Sequence, residues 1–320
     1  MNGRIQKKYH RQVTDVVGEL VQRLWPNREV KLEPLLGGIT NANFLVDLGD
    51  ERVVLRIPGD NTELLGISRL HETSANHLAS SLGIAPEVLR SSETEGWMVT
   101  RFLPGRAIPA DELGGEPMLA ALASTLRRLH SAGTIGVSFN PFAVVREYHE
   151  IARARGVEEP FDYPAAVSVL DRIEAVRTFR PTSFCHNDLL NGNFIYDGEI
   201  RILDWEYAGM GDPFFDLANF SSNHQLPRES NTRLLTHYFG RRDPSLLAVL
   251  ELMKLVSELR ETMWGVVQLA ISALEVDFAG YCEEHSGRYE ALVGAMDLDE
   301  ALHAAAALTD PETDSGRGLG

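Results

Sequence analysis

The sequence predicts an α+β chain in two lobes, a small antiparallel β-rich N-terminal lobe and a larger, mainly helical C-terminal lobe. Three observations carry this. β-like runs separated by turn residues crowd the N-terminal part. The Pro/Gly-rich stretch Leu103-Pro104-Gly105-Arg106-Ala107-Ile108-Pro109 follows them. Helical periodicity then dominates from Met118 onward and is broken once by a short hairpin.

Taken in order, Val13 to Leu24 places Val13, Val16, Val17, Leu20, Val21 and Leu24 at helical spacing, and Trp25-Pro26 ends the run. Strands are expected at Lys31–Leu36, Phe44–Leu48 and Arg52–Ile57, separated by the turn residues Gly37-Gly38 and Gly49-Asp50. Gly66 to Leu82 returns to helix, and Gly83 stops it. Strands Glu87–Ser91 and Trp97–Phe102 complete the first lobe, with a domain boundary near residue 103. The divisions are thus 1–103, 104–308 and a polar tail, 309–320, read as disordered. In the second lobe Phe184, Phe194–Tyr196 and Ile200–Leu203 are β-like, the last two joined by Asp197-Gly198, a strong hairpin signal. Ser245 to about Phe278 reads as a long helical region of one or two helices. A cleft between the lobes is the expected place for a site.

A chain of 320 residues carries about two domains, and 44% hydrophobic with 24% charged residues is ordinary for a globular protein. The net charge of −16 disfavours nucleic acid and anionic membrane and favours cationic ligands. Cys185 and Cys282 stand apart, without zinc-ligand spacing, and suit a reducing compartment. No apolar run is long enough to insert in a membrane, and residues 1–12 lack a signal-peptide core, so a cytoplasmic location is expected. Oligomeric state is not legible.

The densest polar constellation is Cys185-His186-Asn187-Asp188-Leu189-Leu190-Asn191-Gly192-Asn193. His186, Asp188 and Asn193 have the spacing H-x-D-x-x-x-x-N of a phosphotransfer catalytic loop, in which Asp188 takes the proton of an acceptor hydroxyl and Asn193 holds magnesium. A turn capped by Asn and Asp side chains is the plainer alternative. Beyond the hairpin, Asp204-Trp205-Glu206 occupies the place of a D-F-G element. Asp204 is a second magnesium ligand there, and Glu206, two residues on in an extended segment, is placed to join it. Gly37, Gly38, Ile39, Thr40 and Asn41 form an atypical phosphate loop. Arg56 stands where such strands carry a phosphate-binding base, with Glu72 first and Glu63 second as its pairing acid. His71-Glu72 and His149-Glu150 lack the second His of a zinc protease. Cys185 and His186 are adjacent and point to opposite faces, which argues against a nucleophile pair.

These motifs, with Asp212-Pro213-Phe214-Phe215-Asp216-Leu217-Ala218-Asn219 and Trp264-Gly265-Val266-Val267-Gln268, resemble the choline/ethanolamine kinase family within the aminoglycoside-phosphotransferase superfamily, over roughly residues 30–290. The resemblance implies a bilobal protein-kinase-like fold and MgATP-dependent phosphorylation of a small alcohol. It implies adenine held near Thr100, Arg101 and Phe102, and Asp216 as a buttress of the catalytic loop. A cationic acceptor is held by aromatic faces, worth roughly 0.5–2 kcal/mol per ring, and by carboxylates. Trp205, Tyr207, Trp264, Phe278 and Tyr281 are the candidate walls, Glu261 and Glu275 the candidate charges, and Trp264, Gln268 and Glu275 are expected on one helix face. An aromatic core stripe is the alternative for these rings. Asn223, His224 and Glu261 depart from the animal choline kinase pattern, making the pocket less aromatic and differently charged. Aminoglycoside, thiamine, homoserine or a sugar are alternative acceptors, and a nucleotide-binding pseudokinase regulator is the non-enzymatic alternative.

Overall fold

The computed structural model describes residues 17–35, 40–59 and 61–308. The readings made for Val13, Val16, Gly37, Gly38, Ile39 and the tail from 309 fall outside them. The chain forms two compact units. One holds the described residues up to Ala107 with Gly192–Tyr207 and Ile271–Val276, and the other holds Ile108–Asn191, Ala208–Ala270 and the described residues from Asp277 onward.

The first unit is built on five antiparallel strands, β1 (Lys31–Leu35), β2 (Asn41–Asp47), β3 (Arg52–Pro58), β4 (Val88–Ser91) and β5 (Met98–Arg101), in the order β1-β2-β3-β5-β4. Strand β2 alternates in its burial, with Ala42, Phe44 and Val46 at 2% exposure or less. That alternation fixes its register, Phe44 opposite Leu55 and Val46 opposite Val53. Helix α1, seen over 17–24, lays Val17, Leu20, Val21 and Leu24 on this face with Trp25. Helix α2 (Arg69–Ser81) begins at Ser68, whose hydroxyl caps the His71 amide. It ends before Gly83, which takes φ +69°. A 3₁₀ turn, Thr62–Leu65, precedes it where helix was expected only from Gly66.

A second small sheet in this unit pairs β6 (Arg106–Ala107), β8 (Phe194–Tyr196) and β9 (Ile200–Ile202) in that order. Gly105 permits the approach of β6, since a Cβ there would lie 2.8 Å from the Tyr196 carbonyl oxygen. The β8–β9 turn uses Gly198 at φ +112°, and the amide of Ile202 donates to the Ile84 carbonyl at 2.9 Å.

The second unit is mainly helical: α3 (Ala110–Leu113), α4 (Glu116–His130), α5 (Pro141–Ala154), α6 (Tyr163–Val176), α7 (Pro213–Asn223), α8 (Arg228–Phe239), α9 (Pro244–Ile271), α10 (Phe278–Ala295) and α11 (Leu298–Ala306). Two short strands, β7 (Ser183–Cys185) and β10 (Gly209–Gly211), pair antiparallel on either side of the His186–Asn193 segment in the chain. The helical region expected to run to Phe278 stops at Ile271. Asp277 caps the next helix by accepting the Gly280 amide, and the residues between are non-helical. Helix α9 is buried over nearly its whole length yet carries Lys254, Glu258, Arg260 and Glu261. Among the described residues no helix is long and apolar enough to cross a membrane.

Candidate active site

The loop after β7 is held from below by α7. Asp216, fully buried, accepts the amide of His186 at 2.8 Å, that of Asn187 at 2.6 Å and a hydrogen bond from His130 at 2.9 Å. Burial works to raise its pKa. The His130 hydrogen bond and the charges of His130 and His186 outweigh it and leave the carboxyl below its ordinary value. Asn219, one turn further, accepts the Leu189 amide at 2.7 Å. These contacts let Asn187 sit at φ +66° in an otherwise buried loop. Asp188 emerges from this cradle 7% exposed, its amide donating to His186 Nδ1 at 3.2 Å and its Oδ1 accepting from Arg260 at 3.2 Å. Cys185 is fully buried and its thiol is pushed far up by burial and by Asp216, which removes it as a nucleophile.

The first unit assembles an ionic cluster of its own. Arg56, from the centre of β3, pairs with Glu72 of α2, and its Nη1 lies 3.9 Å from Asp204. Glu72 is the pairing acid, and Glu63 is exposed in the 3₁₀ turn. Arg69, which the sequence reading passed over, bridges Glu72 at 2.9 Å and Glu206 at 3.3 Å and donates to Thr62 at 3.1 Å. Its signal is its place three residues before Glu72, where a helix turn brings the two together. Glu206 accepts Thr40 at 2.7 Å and Asn41 at 2.9 Å, so it anchors the end of the Gly37–Asn41 segment as well as standing beside Asp204. Carboxylate oxygens of Glu72, Asp204 and Glu206 lie within 4.8 Å of one another.

Asp204 is not extended as expected but left-handed, at φ +64°, an uncommon conformation for a residue with a side chain. Burial and the nearby Glu206 push its pKa up to about 7 against the pull of Arg56 and Arg69. Burial brings Arg56 down to about 10. Asp204 Oδ1, Asn41 Oδ1 and Arg56 Nε and Nη2 are buried without hydrogen-bond partners. Such groups are uncommon in folded proteins, and a ligand is one way to satisfy them. Crowded carboxylates with a left-over oxygen suit a hard cation such as magnesium, and left-over guanidinium N–H groups suit phosphate oxygens. Asn193 ends a 3₁₀ segment, Asn191–Asn193, and its carbonyl accepts the Leu203 amide at 2.8 Å, which ties the two candidate magnesium-ligand segments into one unit.

Thr100 and Arg101 close β5. Arg101 pairs with Glu87 at the surface, and Phe102 lies under the Arg52 guanidinium at 4.5 Å. Trp264, Phe278 and Tyr281 do come together, Trp264 meeting Phe278 edge-on at 6.0 Å and Tyr281 at 5.3 Å between ring centres. Gly265 makes this possible, because a Cβ there would lie 2.6 Å from Cys282 Sγ and 2.9 Å from the Tyr281 ring. Gln268 is buried on the same helix and Tyr207 is buried in the other unit.

Three acceptor expectations are corrected. Trp205 is fully buried, its indole N–H donating to the Ile202 carbonyl at 3.0 Å, so it offers no face to a ligand. Glu275 is exposed beyond the end of α9 and does not share a helix face with Trp264 and Gln268. Glu261 is a network residue rather than an open countercharge, its oxygens taken by Arg260, Asn219 and Tyr281.

A family model described as the phosphotransferase enzyme family (APH) matches residues 31–251. Protein LicA of Haemophilus influenzae is 29% identical over 216 residues, which is 63% of this chain and 61% of LicA, less than two thirds of that relative. A probable ethanolamine kinase of Arabidopsis thaliana is 25% identical over 287 residues, 78% of this chain and 76% of the relative. The crystal structure of a choline/ethanolamine kinase family protein from Mesorhizobium loti superposes with a TM-score of 0.78 at 28% identity, covering 92% of this chain and 99% of the other. With more than half of its length matched by that model, and with paired ionic groups where the family's motifs lie, the chain belongs to the phosphotransferase enzyme family.

Proposed function

We propose that the protein is a kinase that transfers the terminal phosphoryl group of ATP to the hydroxyl of a small cationic alcohol such as choline or ethanolamine. The observation that carries the reading is the Arg56 guanidinium, anchored by Glu72 and left with buried, unpartnered N–H groups beside Asp204. A guanidinium pinned at one edge and without partners at the others is suited to phosphate oxygens.

Glu206 holds Thr40 and Asn41 in place by accepting a hydrogen bond from each. Asn193 and Asp204, with Glu206 beside them, would hold magnesium. When bound, the ion neutralises charge on the phosphate oxygens. Asp188 accepts the proton of the acceptor hydroxyl. Phosphoryl transfer passes through a loose transition state, so orienting that hydroxyl matters more than strong basicity, and the Asp216 cradle supplies the orientation. The net charge of −16 and the Trp264–Phe278–Tyr281 cluster favour a cationic acceptor.

The test is a panel of choline, ethanolamine, thiamine, homoserine, a sugar and an aminoglycoside, read by coupled ADP release with and without magnesium. Magnesium-dependent turnover is expected with the small amino or ammonium alcohols. Asp188→Ala is expected to lose nearly all turnover while still binding nucleotide. ADP release with none of these alcohols would remove the reading, and nucleotide binding without turnover would favour a regulator.

A further inference from the structure

Burying a guanidinium is costly unless it is paired. Arg260, 1% exposed within α9, is paired in a way that reaches the reacting group. Its Nη1 donates at 3.2 Å to Asp188 Oδ1 and at 2.9 Å to Glu261 Oε1, so one nitrogen serves two buried carboxylates. Glu261 also accepts from Asn219 at 3.0 Å and from the Tyr281 hydroxyl at 2.8 Å. Asn219 closes the circuit by accepting the Leu189 amide, next to Asp188. The neighbouring charged and titratable groups have contacts elsewhere. Asp216 of α7 takes His130 of α4 and the amide of His186, and Glu258 of α9 takes His285 of α10 at 2.7 Å. His186 accepts the Asp188 amide. Arg260 thus brings a cation to Asp188.

We propose that Arg260 is a positioning residue for the proton acceptor, holding the Asp188 carboxylate ionised and aimed, and that Glu261 ties this aim to the helix carrying Tyr281. The inference rests on the role given to Asp188 above. Without Arg260, Asp188 and Glu261 lose the cation they share, and one of them retains a proton to higher pH. A purely structural arginine would lower stability without moving that titration.

The experiment compares the wild type with Arg260→Gln, Arg260→Lys and the double variant Arg260→Met/Glu261→Gln. The carboxyl carbon of Asp188 is followed by NMR in protein labelled with ¹³C-aspartate and assigned by its loss in Asp188→Asn. Its titration midpoint is expected to rise by roughly 1–3 pH units in Arg260→Gln, to stay near the wild-type position in Arg260→Lys, and to fall between them in the double variant. The acid limb of the kcat profile moves with it, while nucleotide KM holds. If Arg260→Gln does not fold, the double variant decides, since it carries no unbalanced pair of carboxylates. A midpoint above that of the wild type supports the inference, and a coincident one overturns it, as does an unmoved midpoint in Arg260→Gln. A moved midpoint with an unchanged kcat profile overturns the positioning role. A wild type that phosphorylates no alcohol sinks the acceptor reading separately, because the carboxyl titration is read without turnover.

Discussion

Removing Asp216 tests whether the proposed catalytic loop is held by charge-assisted hydrogen bonds or merely packed in place. In Asp216→Ala the amides of His186 and Asn187 lose their acceptor inside a fully buried pocket, and His130 loses one of its two partners, keeping Tyr238. Each orphaned group costs about 1–3 kcal/mol, and breaking a buried pair from one side costs about 3–5 kcal/mol. The terms overlap, so a loss of about 3–5 kcal/mol is expected, a large share of the roughly 5–15 kcal/mol of a folded domain. Asp216→Asn keeps one acceptor oxygen but turns an N–H₂ toward the second amide, and about 1–3 kcal/mol should go. Amide hydrogen exchange reads the loop directly, and both variants should lose protection at His186 and Asn187, the alanine variant more. The pH dependence has a definite sign. The folded-state pKa of Asp216 is lowered, so its contribution is complete above the unfolded value near 3.9 and is lost as pH falls through the folded value. Wild type and Asp216→Asn should therefore begin to converge in stability only below about pH 4 and meet below the folded-state value. Unchanged exchange at both amides, with less than about 1 kcal/mol lost in Asp216→Ala, would refute the reasoning.

Arg56→Lys should raise the nucleotide KM roughly 10- to 100-fold in steady-state kinetics. A compact ammonium cannot keep the Glu72 pairing and also present N–H groups to phosphate, and charged hydrogen bonds are worth about 1.5–3 kcal/mol each. Glu206→Gln should weaken nucleotide binding by about tenfold in a titration. It loses the Arg69 ion pair and one acceptor for Thr40 or Asn41. Gly265→Ala should cost about 1–3 kcal/mol in urea unfolding through overpacking against Cys282 and Tyr281. Adding Cys282→Ala should restore only part of it, since the Tyr281 ring remains in the way.

The α+β class was legible because its strands alternate and its turns are punctuated. Phe44 and Val46 against Leu55 and Val53, and Asp197-Gly198 between two apolar runs, leave little choice of partner or register. The His186–Asn193 spacing and the position of Asp204 drew attention in the sequence because phosphoryl transfer demands certain residue types at set distances along the chain, and the roles proposed for them rest on that demand. Strands β6 and β10 were not, for they are two and three residues long and carry no periodicity. They exist because a partner strand is there, as the contact of Gly105 with Tyr196 illustrates. Arg69 and Arg260 were missed for a related reason. Each sits on a helix whose spacing says only that it is helical, and what gives them meaning is a carboxylate from another element, Glu206 or Asp188. Trp205 was misjudged in the opposite direction, since an aromatic beside a metal-binding sequence says nothing about which way its ring turns.

Each unit places a polar functional segment by the same physical device. A loop that must present amides or hydroxyls to a substrate cannot be fixed by apolar packing, because its own polar groups would be buried without partners. A carboxylate solves this, offering two oxygens that together accept several donors. Asp216 takes two main-chain amides and an imidazole, and Glu206 takes Thr40, Asn41 and Arg69. Each brings its own side-chain partner, the His130 imidazole in one case and the Arg69 guanidinium in the other, so the desolvation penalty falls on folding rather than on binding. Asp204 breaks the pattern. It has a buried oxygen with no hydrogen-bond partner, a left-handed backbone and a pKa pushed up to about 7. A divalent cation there, as proposed for magnesium, would supply both charge and coordination to that oxygen.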